Sequence, residues 1–176
     1  DKKKMDVLFP FGYGLSYTTF AYSNLCLDKK TMKDTEELTV SVDVTNTGDR
    51  TGKEVVQLYV ADKESTVIRP VKELRDFVKI ELAPGETKTV TFTLGKRAFA
   101  YYDVQIHDWQ VETGEFEILI GASSRDIALR DTVTVESTVK IPFHYTTDTT
   151  MGDIMSRPEA WKLVQSVLSK GMFGQN

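Results

Sequence analysis

Leu38, Val40, Val42 and Val44 are apolar at every second position, with Thr39, Ser41, Asp43 and Thr45 between them. That is the period of a half-buried strand and excludes a helix over this stretch. Asn46-Thr47-Gly48 then turns the chain, with Gly48 able to take the positive φ such turns often need. A second run, Val55-Val56-Gln57-Leu58-Tyr59-Val60, is β-branched and aromatic and apolar on both faces. It reads as an inner strand of a packed sheet. Strands like these require a partner sheet, so the chain must be a layered β structure.

The remaining sequence supplies that partner. Phe20–Leu27 alternates weakly, and a polar turn is expected over Asp28–Asp34. Further strands are expected at 36–45, 54–61, 74–82 and 87–94, the last two joined by a Pro84-Gly85 turn. Aromatic residues follow at 97–103, then a strand whose inward positions are Phe116, Ile118 and Ile120, and a last strand from Ile127 to Val139. About seven or eight short strands spaced by turns read as a two-sheet sandwich. Val42, Leu58, Phe92 and Trp109 are its expected core anchors.

Both ends differ in character. Phe9-Pro10-Phe11-Gly12-Tyr13-Gly14 is rich in aromatics, and its proline and glycines oppose a helix or central strand. Two readings fit: the aromatics cap their own domain, or they pack on a neighbouring one. At the other end, Ser156 with Glu159 and Pro158 has the pattern of a helix start. Ala160, Trp161, Val164, Val167 and Leu168 form an apolar stripe, and Lys170-Gly171 reads as a stop. A shorter turn is expected over 150–155.

Several functions are excluded or disfavoured. A net charge of -4 with interspersed Lys and Arg leaves no basic stripe for nucleic acid. No run of ~18 apolar residues spans a membrane. Cys26 is the sole cysteine, which rules out an internal disulfide and leans towards a reducing compartment. It reads as a small core residue. His107 and His144 lack ligand-spaced partners, so no metal or other cofactor is expected. Ser123-Ser124 lacks the frame of a nucleophile elbow. Asp43, Glu81, Glu115 and Glu117 sit at alternating polar positions and read as solvated strand faces. Tyr101, Tyr102, Trp109 and Trp161 could stack on sugar rings, but the strand and helix patterns favour packing roles for both tryptophans.

A family resemblance runs through these motifs. VTNTG, EVVQLYV, RPVKELRDF (69–77), LAPGET (82–87) and WQVETGEFEILIGASSRDI (109–127) resemble the fibronectin type III-like domain that closes many family 3 glycoside hydrolases. LFPFGYGLSYTTF (8–20) resembles the segment that joins this domain to the preceding α/β domain in the family's β-glucosidases. The resemblance implies an immunoglobulin-like sandwich over 20–140, a linker arm over 1–19 and a tail over 141–176. It further implies a non-catalytic module whose parent hydrolyses terminal β-D-glucosyl residues with retention, without cofactor. The paired carboxylates of that chemistry lie on other domains of the family, and neither motif occurs here. Phe9, Phe11, Tyr13 and Tyr17 would contact those domains, or a second copy of the chain when they are missing. Rival readings are an independent carbohydrate-binding module and a general interaction domain. Sugar preference, β-glucosidase against β-xylosidase, would lie in the other domains.

Overall fold

The computed structural model describes residues 7–104, 106–139 and 146–173. The chain forms two units, residues 1–139 and 140–176. The first contains β1 (Phe20–Leu27), β2 (Thr31–Lys33), β3 (Leu38–Asn46), β4 (Gly52–Asp62), β5 (Glu73–Leu82), β6 (Thr87–Leu94), β7 (Tyr101–Asp103), β8 (Asp108–Gln110), β9 (Gly114–Gly121) and β10 (Ile127–Glu136). A three-stranded sheet has the order β1-β3-β6, and a five-stranded sheet the order β2-β10-β9-β4-β5. β7 and β8 make a separate ribbon.

The alternation in β3 becomes burial directly, since Leu38, Val40, Val42 and Val44 are all fully buried. Opposite them on β6 stand Leu94, Phe92 and Val90, register partners of Leu38, Val40 and Val42. This face closes on Val56, Leu58 and Val60 of β4, Phe116, Ile118 and Ile120 of β9, and Val133 and Val135 of β10 in one apolar cluster. Val42, Leu58 and Phe92 are therefore interior. Trp109 is not. It is half-buried at the margin of the cluster, because it belongs to the outlying β7-β8 ribbon.

β4 lies between β9 and β5, which accounts for its apolar character on both faces. Its outward Tyr59 and Ala61 form a second small cluster with Leu119, flanked by Leu74 and Ile127.

Further expectations for the sandwich need correction. The turn expected over Asp28–Asp34 contains β2, which pairs in parallel with β10 from Thr31↔Thr134 to Glu136↔Lys33 and buries Met32. Cys26 is exposed. The β1–β3 register shifts between Ser23 and Cys26, and Asn24 has φ 54, so inward positions pass from Tyr22 to Leu25 and Leu27 and Cys26 turns outward. Gly48 is not among the positive-φ glycines. Its missing side chain instead makes room for Thr18, whose hydroxyl a Cβ there would strike. The last strand ends at Glu136, three residues early.

In the second unit, α1 (Met151–Met155) starts from Thr150, whose hydroxyl and Asp153 carboxylate form a reciprocal cap. Ser156 closes this helix instead of opening the next, its hydroxyl donating to the Asp153 carbonyl at 2.8 Å. α2 (Pro158–Phe173) begins at the proline, where a missing N–H costs nothing. It continues past Gly171, because one glycine costs a helix only about 1 kcal/mol. Ala160, Trp161 and Val164 are half-buried, whereas Val167 and Leu168 are exposed. His144 lies outside the described residues.

The strand carboxylates predict an acid dependence. Asp43 accepts from Thr89 Oγ1 at 2.6 Å and Asn24 Nδ2 at 2.9 Å, which holds its carboxyl below its ordinary value. Glu86 accepts from the Ala83 N–H at 2.7 Å with the same effect. A carboxyl lowered by folding contributes stability above its unfolded pKa and loses it as pH falls through the folded value. Thermal midpoints should therefore fall as pH drops from about 5 to 3, and less steeply in Asp43→Asn. Identical slopes in both proteins would refute the assignment.

Candidate docking face

The aromatic arm is where large apolar groups meet solvent. Phe9 is 64% exposed, Phe11 65%, Tyr13 47% and Tyr17 93%. Leu8 and Leu15 are exposed beside them. These side chains do not cap the domain's own core.

The backbone beneath them is fixed nonetheless. The Tyr13 N–H donates to the Pro10 carbonyl at 3.1 Å, and Gly12 has φ 78, as a type II turn requires at its third residue. The Ser124 N–H donates to the Phe11 carbonyl at 2.9 Å. Gln57 Nε2 donates to the carbonyls of Gly12 at 3.0 Å and Ala122 at 2.6 Å. Its Oε1 accepts from the buried Tyr59 hydroxyl at 2.5 Å. A Cβ on Gly12 would collide with the Gln57 amide. Gly12 thus locks the arm to β4. Thr18 makes a further tie, its hydroxyl donating to Asn46 Oδ1 at 2.7 Å.

Between arm and sheet lies an open groove of about 630 Å³. Phe11, Tyr13, Leu15 and Tyr17 wall it, and Val55 and Phe77 line the sheet side. Phe77 is itself 60% exposed. An aromatic wall facing exposed sheet residues is suited to covering by another protein surface.

In the sequence Glu54 reads only as the polar start of a strand. It is half-buried, and burial holds its carboxyl above the ordinary value although the Tyr22 hydroxyl donates to it at 3.0 Å. Asp126 lines the same pocket of about 280 Å³. Two strand carboxylates are paired at the surface, Glu81 with Lys53 at 3.1 Å and Glu115 with Lys63 at 2.9 Å. Among the described residues no group of three His, Cys, Asp or Glu is placed to hold a metal. No helix among them is long and apolar enough to cross a membrane.

The ribbon aromatics pack on one another and on Arg97. Trp109 carries the Arg97 guanidinium 3.5 Å over its ring and meets Tyr102 edge-on at 5.6 Å and 69°. A cation over a ring face and a ring against its edge are both favourable packings for an aromatic side chain. His107 is exposed with φ 52, in a turn of the same ribbon.

Two antiparallel-rich sheets closed on one core, with a fixed aromatic strap along the larger sheet, define an immunoglobulin-like module. A family model for the fibronectin type III-like domain matches residues 54–124. Thermostable beta-glucosidase B of Acetivibrio thermocellus is 55% identical over 170 residues, 97% of this chain and 22% of that protein. An exo-alpha-(1->6)-L-arabinopyranosidase of Bifidobacterium breve is 44% identical over 166 residues, 94% of this chain and 21% of that protein. The solved structure of a GH3 beta-glucosidase from Bifidobacterium adolescentis superposes with a TM-score of 0.78 at 39% identity, covering 93% of this chain and 24% of that one. The chain belongs to the fibronectin type III-like domains found in the C-terminal portion of family 3 β-glucosidases. It spans about a fifth of the length of those relatives.

Proposed function

We propose that this chain is the non-catalytic C-terminal module of a family 3 glycoside hydrolase, and that it braces the catalytic domains through the aromatic arm. The parent enzyme would remove terminal β-D-glucosyl residues. One observation carries the reading: Phe9, Phe11, Tyr13 and Tyr17 face solvent from a backbone tied at Phe11, Gly12 and Thr18. Each such ring is worth about 1.5–3 kcal/mol when buried, so four make a strong drive to find a covering surface. Because the arm is already ordered, docking does not incur the entropy of fixing it. Without its partner domain, the same drive would bring copies of the chain together.

Sugar preference would reside outside this module. The similar relative named for arabinopyranosidase activity supports that division, since it shares the module with relatives named β-glucosidase.

Bracing is tested in a chimera, the Acetivibrio thermocellus enzyme carrying this chain in place of its matching segment. Heat inactivation of β-glucosidase activity should track a single unfolding transition. Serine at Phe9, Phe11, Tyr13 and Tyr17 should accelerate inactivation and split the transition in two. Unchanged inactivation would refute bracing by the arm. The chain alone should not turn over p-nitrophenyl β-glucoside. Turnover abolished by Glu54→Gln would reverse the non-catalytic assignment.

A further inference from the structure

We infer that the loop after β4, residues 63–71, is a second preformed contact on the same partner domain, with Ile68 as its anchor. This rests on the bracing role above. Ile68 is 93% exposed, and Val67 and Val71 beside it are also exposed. The loop is nevertheless held at both shoulders. Arg69, between Ile68 and Pro70, has a side chain only 7% exposed. Its guanidinium pairs with Asp62 at 3.1 Å and Glu73 at 3.1 Å, and donates to the carbonyls of Phe99 at 3.0 Å and Ala100 at 3.5 Å. On the other side, Glu112 accepts from Ser65 Oγ at 3.2 Å, the Thr66 N–H at 3.1 Å and the Thr66 hydroxyl.

A buried ion pair stabilises a fold no better than apolar packing of the same volume, whereas it specifies one geometry. Here that geometry aims a bare isoleucine outward, which does nothing for the chain by itself. Position supplies the occupant. Relatives match this chain in their C-terminal portion, so most of each relative precedes the segment that corresponds to the arm. β4 carries both contacts, with Gly52, Lys53, Glu54, Val55 and Gln57 lining the arm groove and Asp62 anchoring the loop. Gln57 and Asp62 are about 17 Å apart along the strand, Gln57 on its outer face and Asp62 at its last position, where the loop leaves the sheet. An interface of about 800 Å² per partner covers that span.

Ile68→Asp separates this inference from the bracing role. In the chain alone its melting temperature should equal that of wild type, because the side chain is already in water. In the chimera it should speed heat inactivation by about tenfold, as expected for loss of one buried aliphatic anchor. If Ile68→Asp inactivates like the unaltered chimera while the arm variant inactivates fast, the loop contact is wrong and bracing stands. If neither variant changes inactivation, both fall.

Discussion

Asn46→Ala is expected to destabilise the sandwich by about 3–5 kcal/mol, roughly a third or more of a typical domain's stability. Asn46 takes the inward position that continues the Leu38–Val44 series and is fully buried. All of its hydrogen-bonding capacity is used. Nδ2 donates to the carbonyls of Arg50 and Leu82, both at 2.9 Å. Oδ1 accepts from the Gly48 N–H at 3.0 Å and the Thr18 hydroxyl at 2.7 Å. Alanine strands those partners, and each buried polar group left unmade costs roughly 1–3 kcal/mol. Asn46→Asp should also destabilise, because a carboxylate cannot donate to the two carbonyls. Urea unfolding is the measurement, and a loss below about 1 kcal/mol would mean that the turn reorganises around the gap.

Arg69→Ala should have a comparable effect, about 3–5 kcal/mol, because it leaves Asp62 and two carbonyls buried without their donor. The Asp62 side chain is only 4% exposed. Burial pushes its carboxyl above its ordinary value even with Arg69 present. A carboxyl raised by folding favours the fold below its unfolded pKa, and that benefit is lost as pH rises through the folded value. The deficit of Arg69→Ala should accordingly shrink towards pH 4 and be largest at neutral pH. Arg69→Met combined with Asp62→Leu should recover much of the loss, since it leaves no charge at position 62 without its partner. A double variant as unstable as Arg69→Ala would indicate that the Phe99 and Ala100 carbonyls dominate.

The sandwich was legible because its strands alternate cleanly. In β3, β6 and β9 the apolar positions named from sequence are the buried ones. What escaped has a physical reason in each case. β2 has one apolar residue, Met32, and no period can be read from one. Cys26 was assigned to the core because a bulge shifts the face of a strand without a compositional signal. Trp109 was set in the core because aromatic bulk marks burial, but not whether a strand joins the main sheets or a side ribbon. The arm was legible as an aromatic cluster, and its fixity was not. Fixity depends on Gln57 and Ser124, 45 and 113 positions beyond their partners Gly12 and Phe11, pairings that only the fold creates. Arg69 carried one usable hint, a cation wedged between Ile68 and Pro70 in a stretch otherwise suited to a surface loop.

The parallel pairing of β2 with β10 bears on how such a molecule is made. Thr31 meets Thr134, and Gln57 of β4 meets Gly121 of β9. The hairpins β4–β5 and β9–β10 can form early from neighbouring residues, but the seams that join them await distant chain. During synthesis the five-stranded sheet cannot be completed until β10 has emerged, and until then β2 and the outer edge of β9 lack partners. Refolding of the isolated chain should fall in the millisecond-to-second range of non-local β topologies. On a ribosome, the exposed aromatics of the arm would meet solvent or a preceding domain well before the sheet that fixes them exists.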